Sequence, residues 1–290
     1  MNKLPLATRV QILHMLCEGS AMRAISRVTG VSINTVTKLL VDAGKACAAY
    51  HDEHVRGVKA VRIQCDEIWA FCYSKQKNVA TAKRKDLAYG DVWTWTALAT
   101  DSKLIVSYLS GGRDSDYAMA LMDDLRQRLA NRVQLTTDGH RAYLQAVEEA
   151  FGDNIDYAML VKLYGATTDP EHRYSPAECI GTRKTKITGN PDRDHVSTSY
   201  VERQNLTMRM SMRRFTRLTN AHSKKLENHH HAQALYFMFY NFARINSAVK
   251  MSPAMAAGIE TRLWEMEDIA KLIPETLAGK RGPYHPRISN

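Results

Sequence analysis

The chain has 290 residues, enough for a sizeable buried core and one to three domains. Lys and Arg outnumber Asp and Glu by 40 to 30, a formal charge of +10 with a sequence pI near 9.4, which favours a polyanionic partner over an acidic protein. The five cysteines form no CxxC pair and read as buried free thiols, against both a disulfide framework and a structural zinc, and no run of about 18 apolar residues or signal-peptide pattern occurs. A soluble protein of a reducing cytoplasm, with no membrane partner, is expected.

Residues 6–42 carry the periodicity of three short helices, the second from about residue 21 to 29 and the third beginning at Ser32. Gly30-Val31 turns between them. Ile25, Val28, Val31, Val36, Leu39 and Leu40 are spaced to pack the two helices together, and Ser32 suits an N-cap. Asn34, Thr35, Thr37 and Lys38 are left outward, short polar or basic groups able to meet bases and phosphates in a major groove. The pattern is a helix-turn-helix, with an ordinary helical hairpin as its competitor. Residues 44–59, rich in small and charged side chains, read as a linker.

From Val61 the period changes to two. Strands are expected at 61–71, 92–99 and 104–109, then a helix at 115–129, a strand at 133–137, a helix at 141–151 and a strand at 155–161. That succession is the order of a ribonuclease H-like fold, a mixed sheet flanked by helices. It places the first and fourth strands side by side. Residues 165–198 interrupt the pattern with Gly and Pro and read as a surface excursion bearing Arg183 and Lys184, either simply solvated or placed to touch a nucleic-acid backbone. Helices follow at 199–218 and 228–246, then a short helical tail from Ser252, with residues 281–290 expected to be disordered. The expected fold class is therefore α/β, a ribonuclease H-like domain (59–250) after a small all-α helix-turn-helix domain with its linker (1–58), ending in a helical tail (251–290).

Asp66 lies inside the first strand, Asp138 ends the fourth, and Glu202 opens the helix at 199–218. A carboxylate between Cys65 and Ile68-Trp69 is expected to be buried and must then be paired or bound to metal. Strand alternation sends Glu67 to the opposite face, which makes it the less favoured ligand. From Arg203 to Lys225 there are seven Lys or Arg and no Asp or Glu, so Glu202 stands at the mouth of a positive surface suited to phosphates. Arg203, Arg209, Arg213 and Arg214 are the candidate backbone contacts there. Two Mg²⁺, or Mn²⁺ in their place, are the cations that three such carboxylates would hold for cutting a phosphodiester. His140 and His195 are candidates for a supporting contact. The consecutive His229, His230 and His231 cannot converge on one ion, and Trp69, Trp93 and Trp95 are assigned to sheet packing.

The segments Cys65 to Trp69, Tyr89 to Trp95, Leu135 to His140, Ser199 to Asn205, Arg213 to Asn220 and Tyr240 to Arg244 run in an order that resembles the bacterial insertion sequence 1 (IS-one) family of DDE transposases. The resemblance covers nearly the whole chain. It implies a ribonuclease H-like catalytic domain whose metal-binding Asp, Asp and Glu fall at Asp66, Asp138 and Glu202, and an N-terminal helix-turn-helix that binds terminal inverted repeats. Some relatives carry a cysteine-rich zinc module ahead of that motif, and this chain has none.

The expected activity is metal-dependent cleavage at the ends of a mobile element, followed by attack of the freed 3′-hydroxyl on target DNA. The partners would be double-stranded DNA, both terminal repeats and target, and further copies of the chain, at least a homodimer, in the nucleoid. Two rivals remain: a catalytically inactive helix-turn-helix regulator, and a ribonuclease H-like nuclease that cuts without strand transfer.

Overall fold

The computed structural model describes residues 4–83, 86, 88–165, 179–216 and 219–275. Helices α1 (Leu6–Cys17), α2 (Met22–Thr29) and α3 (Ile33–His54) come first, followed by strands β1 (Arg62–Cys72), β2 (Gly90–Ala99) and β3 (Ile105–Gly111). Next are α4 (Ser115–Arg128), β4 (Gln134–Thr137), α5 (Ala142–Phe151), β5 (Asp156–Tyr164) and β6 (Cys179–Thr188). Helices α6 (Ser199–Ser211), α7 (Leu226–Met238), α8 (Pro253–Ala256) and α9 (Met266–Lys271) complete the described residues.

The strands form one six-stranded mixed sheet in the order β3-β2-β1-β4-β5-β6, with β1, β4 and β5 mutually parallel and the other pairs antiparallel. This arrangement is consistent with the ribonuclease H-like order. Alternation in β1 sets the two faces. Ile63 and Cys65 join Trp95, Leu121 and Tyr143 under α4 and α5, while Ile68 and Ala70 join Val201 and Met208 of α6. The strand β6 departs from the expected excursion: it pairs with the edge of β5, Leu160 opposite Lys184 and Val161 opposite Arg183. Both of its faces are largely exposed, so it carries no alternating apolar signal. Residues 166–178 of the same segment lie outside the described residues, as do residues 281–290, for which disorder was expected.

Helix α3 begins where expected, capped by the Ser32 hydroxyl accepting from the Thr35 amide, with Gly30 left-handed at the end of α2. It does not stop at residue 44. Leu40, Ala43, Gly44, Cys47 and His51 are buried at helical spacing, so residues 44–54 of the supposed linker are a further stretch of α3, which is laid against α7, and only residues 55–59 connect it to the sheet. Gly44 marks the crossing: a Cβ there would sit 2.4 Å from the His231 Cβ and 2.6 Å from its carbonyl oxygen. The small residues that resembled a linker are what lets two helices touch. Gly44→Ala is expected to cost about 3 kcal/mol, read by urea denaturation, because helix backbones rather than a movable side-chain tip must separate. Gly30→Ala, with open space around its Cβ, should cost only the left-handed strain, about 1 kcal/mol.

The free edge of β3 is covered from the same side. Asn241 accepts from the Ile105 amide at 3.0 Å and donates to its carbonyl at 2.9 Å, and His51 Nε2 lies 3.2 Å from that carbonyl. Arg128 joins α4 to α3 through the His51 and Val55 carbonyls and the Asp52 and Asp124 carboxylates. One continuous apolar cluster runs from Ile12 in α1 through the sheet to Ile273 beyond α9.

Several expectations shift in detail. Val28 is 67% exposed instead of packing α2 on α3, because Ile25 takes the inward position. Helix α6 ends at Ser211, where Met212 turns extended, and Arg213–Phe215 form a separate short turn. Helix α7 passes into a wider π-helical turn, Phe239–Ala243. Four cysteines are buried thiols, but Cys179 on β6 is exposed. Trp95 is fully buried, whereas Trp69 and Trp93 are half-buried. Among the described residues no helix is long and apolar enough to cross a membrane.

Candidate metal centre

The strands β1 and β4 pair from Arg62 opposite Gln134 to Cys65 opposite Thr137, and there β4 stops while β1 runs on to Cys72. Asp66 and Asp138 are the next residues on each strand. They meet at the carboxyl end of two parallel strands, where the sheet opens a notch beside β1. Glu67 points to the other face, as alternation requires, and it is paired with Trp95 of β2, but on its other side β4 has already ended and the side chain comes close to the two aspartates. One carboxylate oxygen from each of Asp66, Glu67 and Asp138 lies within 4.8 Å of the others.

Each acid is held by named partners. Asp66 accepts from its neighbour's amide, Glu67 N, at 2.9 Å and from Asn205 Nδ2 of α6 at 2.8 Å. Asp138 accepts from the His140 amide at 2.9 Å. Arg113, from the loop before α4, donates twice to Glu67 Oε2 at 3.2 and 3.1 Å and comes within 3.9 Å of Asp138, with its guanidinium 4.5 Å above the Trp93 ring. Glu67 Oε1 is buried without a hydrogen-bond partner. Tyr143 lies close enough to lower the proton affinity of Glu67, yet its hydroxyl also lacks a completed bond.

Crowding of like charges out of water shows in the proton affinities. Burial, then Glu67, Asp138 and Glu202, push the Asp66 carboxyl up to about 7. Burial and then Asp138 raise Glu67, against the pull of Tyr143 and Arg113. Burial and then Arg113 lower the His140 imidazole. A carboxylate cluster that resists ionising is a site short of positive charge.

Glu202 lines the same cavity of about 940 Å³ as Asp66, Asp138, Arg113, His140 and Lys162, but it is not in the close trio. Its carboxylate is turned to β5: Lys162 Nζ lies 2.5 Å from Oε2 and the Thr198 hydroxyl donates to Oε1 at 2.6 Å. Burial works against the Lys162 ammonium, yet the adjacent Glu202 raises its affinity for a proton overall. Helix α6 is fixed across the sheet by Gln64, two residues before Asp66, whose side-chain oxygen accepts from the Tyr200 and Val201 amides at 2.9 and 3.1 Å. Gln64→Met would strand two amides in the first turn of α6. It is expected to cost about 2 kcal/mol in chemical denaturation, whereas an unchanged midpoint would dismiss the clamp.

The trio supplies only oxygen donors, the chemistry of Mg²⁺ or Mn²⁺ rather than zinc. Ligands on opposite sides of Mg²⁺ lie about 4 Å apart, so the observed spacing fits one ion with small side-chain movement. The orphaned Glu67 Oε1 is a buried acceptor such an ion would satisfy.

The expected DNA contacts fall outside this cavity. Asn34, Thr35 and Lys38 are exposed on α3, with Lys38 paired to Asp42 at 2.6 Å. Arg183 is exposed on β6, and Lys184 donates to the Arg193 carbonyl at 2.8 Å. Arg203 is exposed and Arg209 half-buried on α6, while Arg213 and Arg214 line a second cavity against α2 and α3. His195 is exposed beside Asp192, and His229 and His231 pack around α7. Sequence reasoning missed Arg113, Lys162, Gln64 and Asn205; only Asn205 had a signal, one helical turn after Glu202.

No family model matches the chain, and no curated protein matches it. Among solved structures it is similar to a Mos1 transposase paired-end complex with left transposon end, at 13% identity and a TM-score of 0.22, over 54% of this chain and 60% of that one. It is also similar to a Mos1 strand transfer complex, at 12% identity and a TM-score of 0.24, over 82% of this chain and 77% of that one. The chain thus spans less than two thirds of the first of these. Likeness at this level bears on neither fold nor function.

Proposed function

We propose that the chain is a DNA transposase of a bacterial insertion sequence, which cleaves at the element ends and joins the resulting 3′-hydroxyl to target DNA. The observation that carries this reading is the convergence of Asp66, Glu67 and Asp138 at the mouth of two parallel strands, with Glu202 on the helix packed across them. In this reading Asp66, Asp138 and Glu202 hold two Mg²⁺ or Mn²⁺. Glu67 offers a further oxygen, and Glu202 joins once it exchanges its bond to Lys162. Bound divalent ions would supply charge neutralisation at the scissile phosphate and activation of the attacking hydroxyl.

The protein's own groups do the positioning. Asn205 orients the Asp66 carboxylate, Arg113 balances Glu67 and faces Asp138, and Lys162 stands ready to meet a phosphate on leaving Glu202. Asn34, Thr35 and Lys38 on a helix-turn-helix within residues 1–58 would read the terminal repeats. Arg183, Lys184, Arg203, Arg209, Arg213 and Arg214 would carry the backbone. A dimer or larger assembly would bring two ends together in the nucleoid.

The test uses purified protein, labelled element-end and target DNA, and Mg²⁺ or Mn²⁺ with and without chelator. Cation-dependent nicks bearing 3′-hydroxyls, followed by joint molecules, are expected. Nicks without joint molecules would make the chain a nuclease, and binding without nicks would leave only a regulator.

A further inference from the structure

A second cavity, of about 670 Å³, opens between α2, α3 and the segment leading into α7. Its wall carries Arg23, Arg213, Arg214, His222 and Lys224 and, among the described residues, no Asp or Glu. Arg23, Arg213 and Lys224 are exposed, but Arg214 is set inward. Its guanidinium donates to the Ser223 hydroxyl at 3.1 Å and approaches the Met22 sulfur at 3.9 Å. A hydroxyl and a thioether are poor company for a desolvated cation, and burial brings Arg214 down to about 10, opposed only by the Cys72 thiol. Ser223 is itself committed to His229 Nδ1 at 2.8 Å, and burial, then Arg214 and His230, keep that imidazole neutral. Four cationic side chains, Arg23, Arg213, Arg214 and Lys224, surround one opening beside the His222 imidazole, which lies 2.6 Å from Lys224 Nζ and which burial and then Lys224 keep from charging. With no carboxylate partner for the innermost among the described residues, they make a seat for an anion.

We infer that this cavity binds a phosphate group, with Arg214 at its inner end and Arg23, Arg213 and Lys224 closing around the remaining oxygens. Arg is suited to this, since its fork meets two phosphate oxygens at once. The same wall includes Ile33 and Thr37 of α3, so the seat adjoins the helix face assigned to DNA. The inference rests on the nucleic-acid reading above to the extent that the phosphate comes from a DNA strand. A free phosphate or nucleotide would satisfy the same chemistry.

The experiment measures binding in chelator, so that it does not depend on cleavage. Wild type, Arg214→Met and the double variant Arg23→Gln with Lys224→Gln are titrated with a labelled DNA duplex across a salt series, and their melting is followed with inorganic phosphate. Arg214→Met is expected to weaken duplex binding about tenfold and to make the salt slope shallower by about one. The double variant alters only exposed side chains, so it reports on the seat even if Arg214→Met fails to fold. Phosphate-dependent protection of wild type that both variants lose, with duplex binding intact, would support the seat and assign it to a free anion. Both variants behaving as wild type with both probes would overturn the inference. A protein that binds duplex through Arg214 yet never nicks DNA would overturn the transposase reading alone.

Discussion

Asp66→Asn is expected to lower cation-dependent nicking and strand transfer by on the order of 10³-fold or more, while binding of element-end DNA in chelator stays within about twofold. The substitution keeps the shape of the side chain and its bond from Asn205 can re-form by an amide flip, but it removes the charge that opposes a divalent ion. Asp138→Asn should behave alike. Glu202→Gln and Glu67→Gln then separate two arrangements. If Glu202 joins the ions after leaving Lys162, its loss is as severe as that of Asp66. If Glu67 supplies the third oxygen where it stands, its loss is the severe one and Glu202→Gln is mild. Retained strand transfer by Asp66→Asn, measured with labelled ends on gels, would remove the metal role from this cluster.

The second large effect is on stability and runs with pH. Asp66 has an ordinary value of 3.8 and is raised to about 7 in the folded chain, through burial and then Glu67, Asp138 and Glu202. Between those values the folded protein keeps a proton that the unfolded chain releases. The stability tied to that proton is complete below about pH 4 and is lost as pH rises through 7. After discounting for partial exposure, roughly 3 kcal/mol should separate wild type from Asp66→Asn at pH 8 compared with pH 4, the variant gaining as pH rises. Mg²⁺ should restore wild type at pH 8 and do little at pH 5, where protons compete for the same oxygens. Urea denaturation in chelator and in Mg²⁺ at the two pH values checks both statements. Parallel behaviour of wild type and variant at every pH would show that the acids do not crowd one another.

Much of this centre is legible in the order of residues, for identifiable reasons. A carboxylate between Cys65 and Ile68 inside a strand must be answered by a partner. The succession of strands and helices brings β1 beside β4, and with them Asp66 beside Asp138. Glu67 is harder, because alternation correctly sends it to the other face but says nothing of where the neighbouring strand ends. The turn of Glu202 toward Lys162 depends on a pairing between a strand and a helix that no local pattern encodes. The extension of α3 was hidden because Gly44 and its small neighbours serve a close helix crossing as readily as a linker. Strand β6 was hidden because an edge strand wet on both faces has no alternation to read.

The length of α3 has a mechanical consequence. Its 22 residues span about 33 Å as one rod, with Asn34 and Thr35 at one end and His51 at the other, against the carbonyl of Ile105 at the start of β3. If the exposed end reads DNA as proposed, no hinge lies within the helix to let the reading head swing relative to the sheet. The protein would then act as a ruler: base pairs inserted between the recognised repeat and the scissile bond would move the cut by the same number of steps or abolish it, but would not be absorbed by slack in the chain.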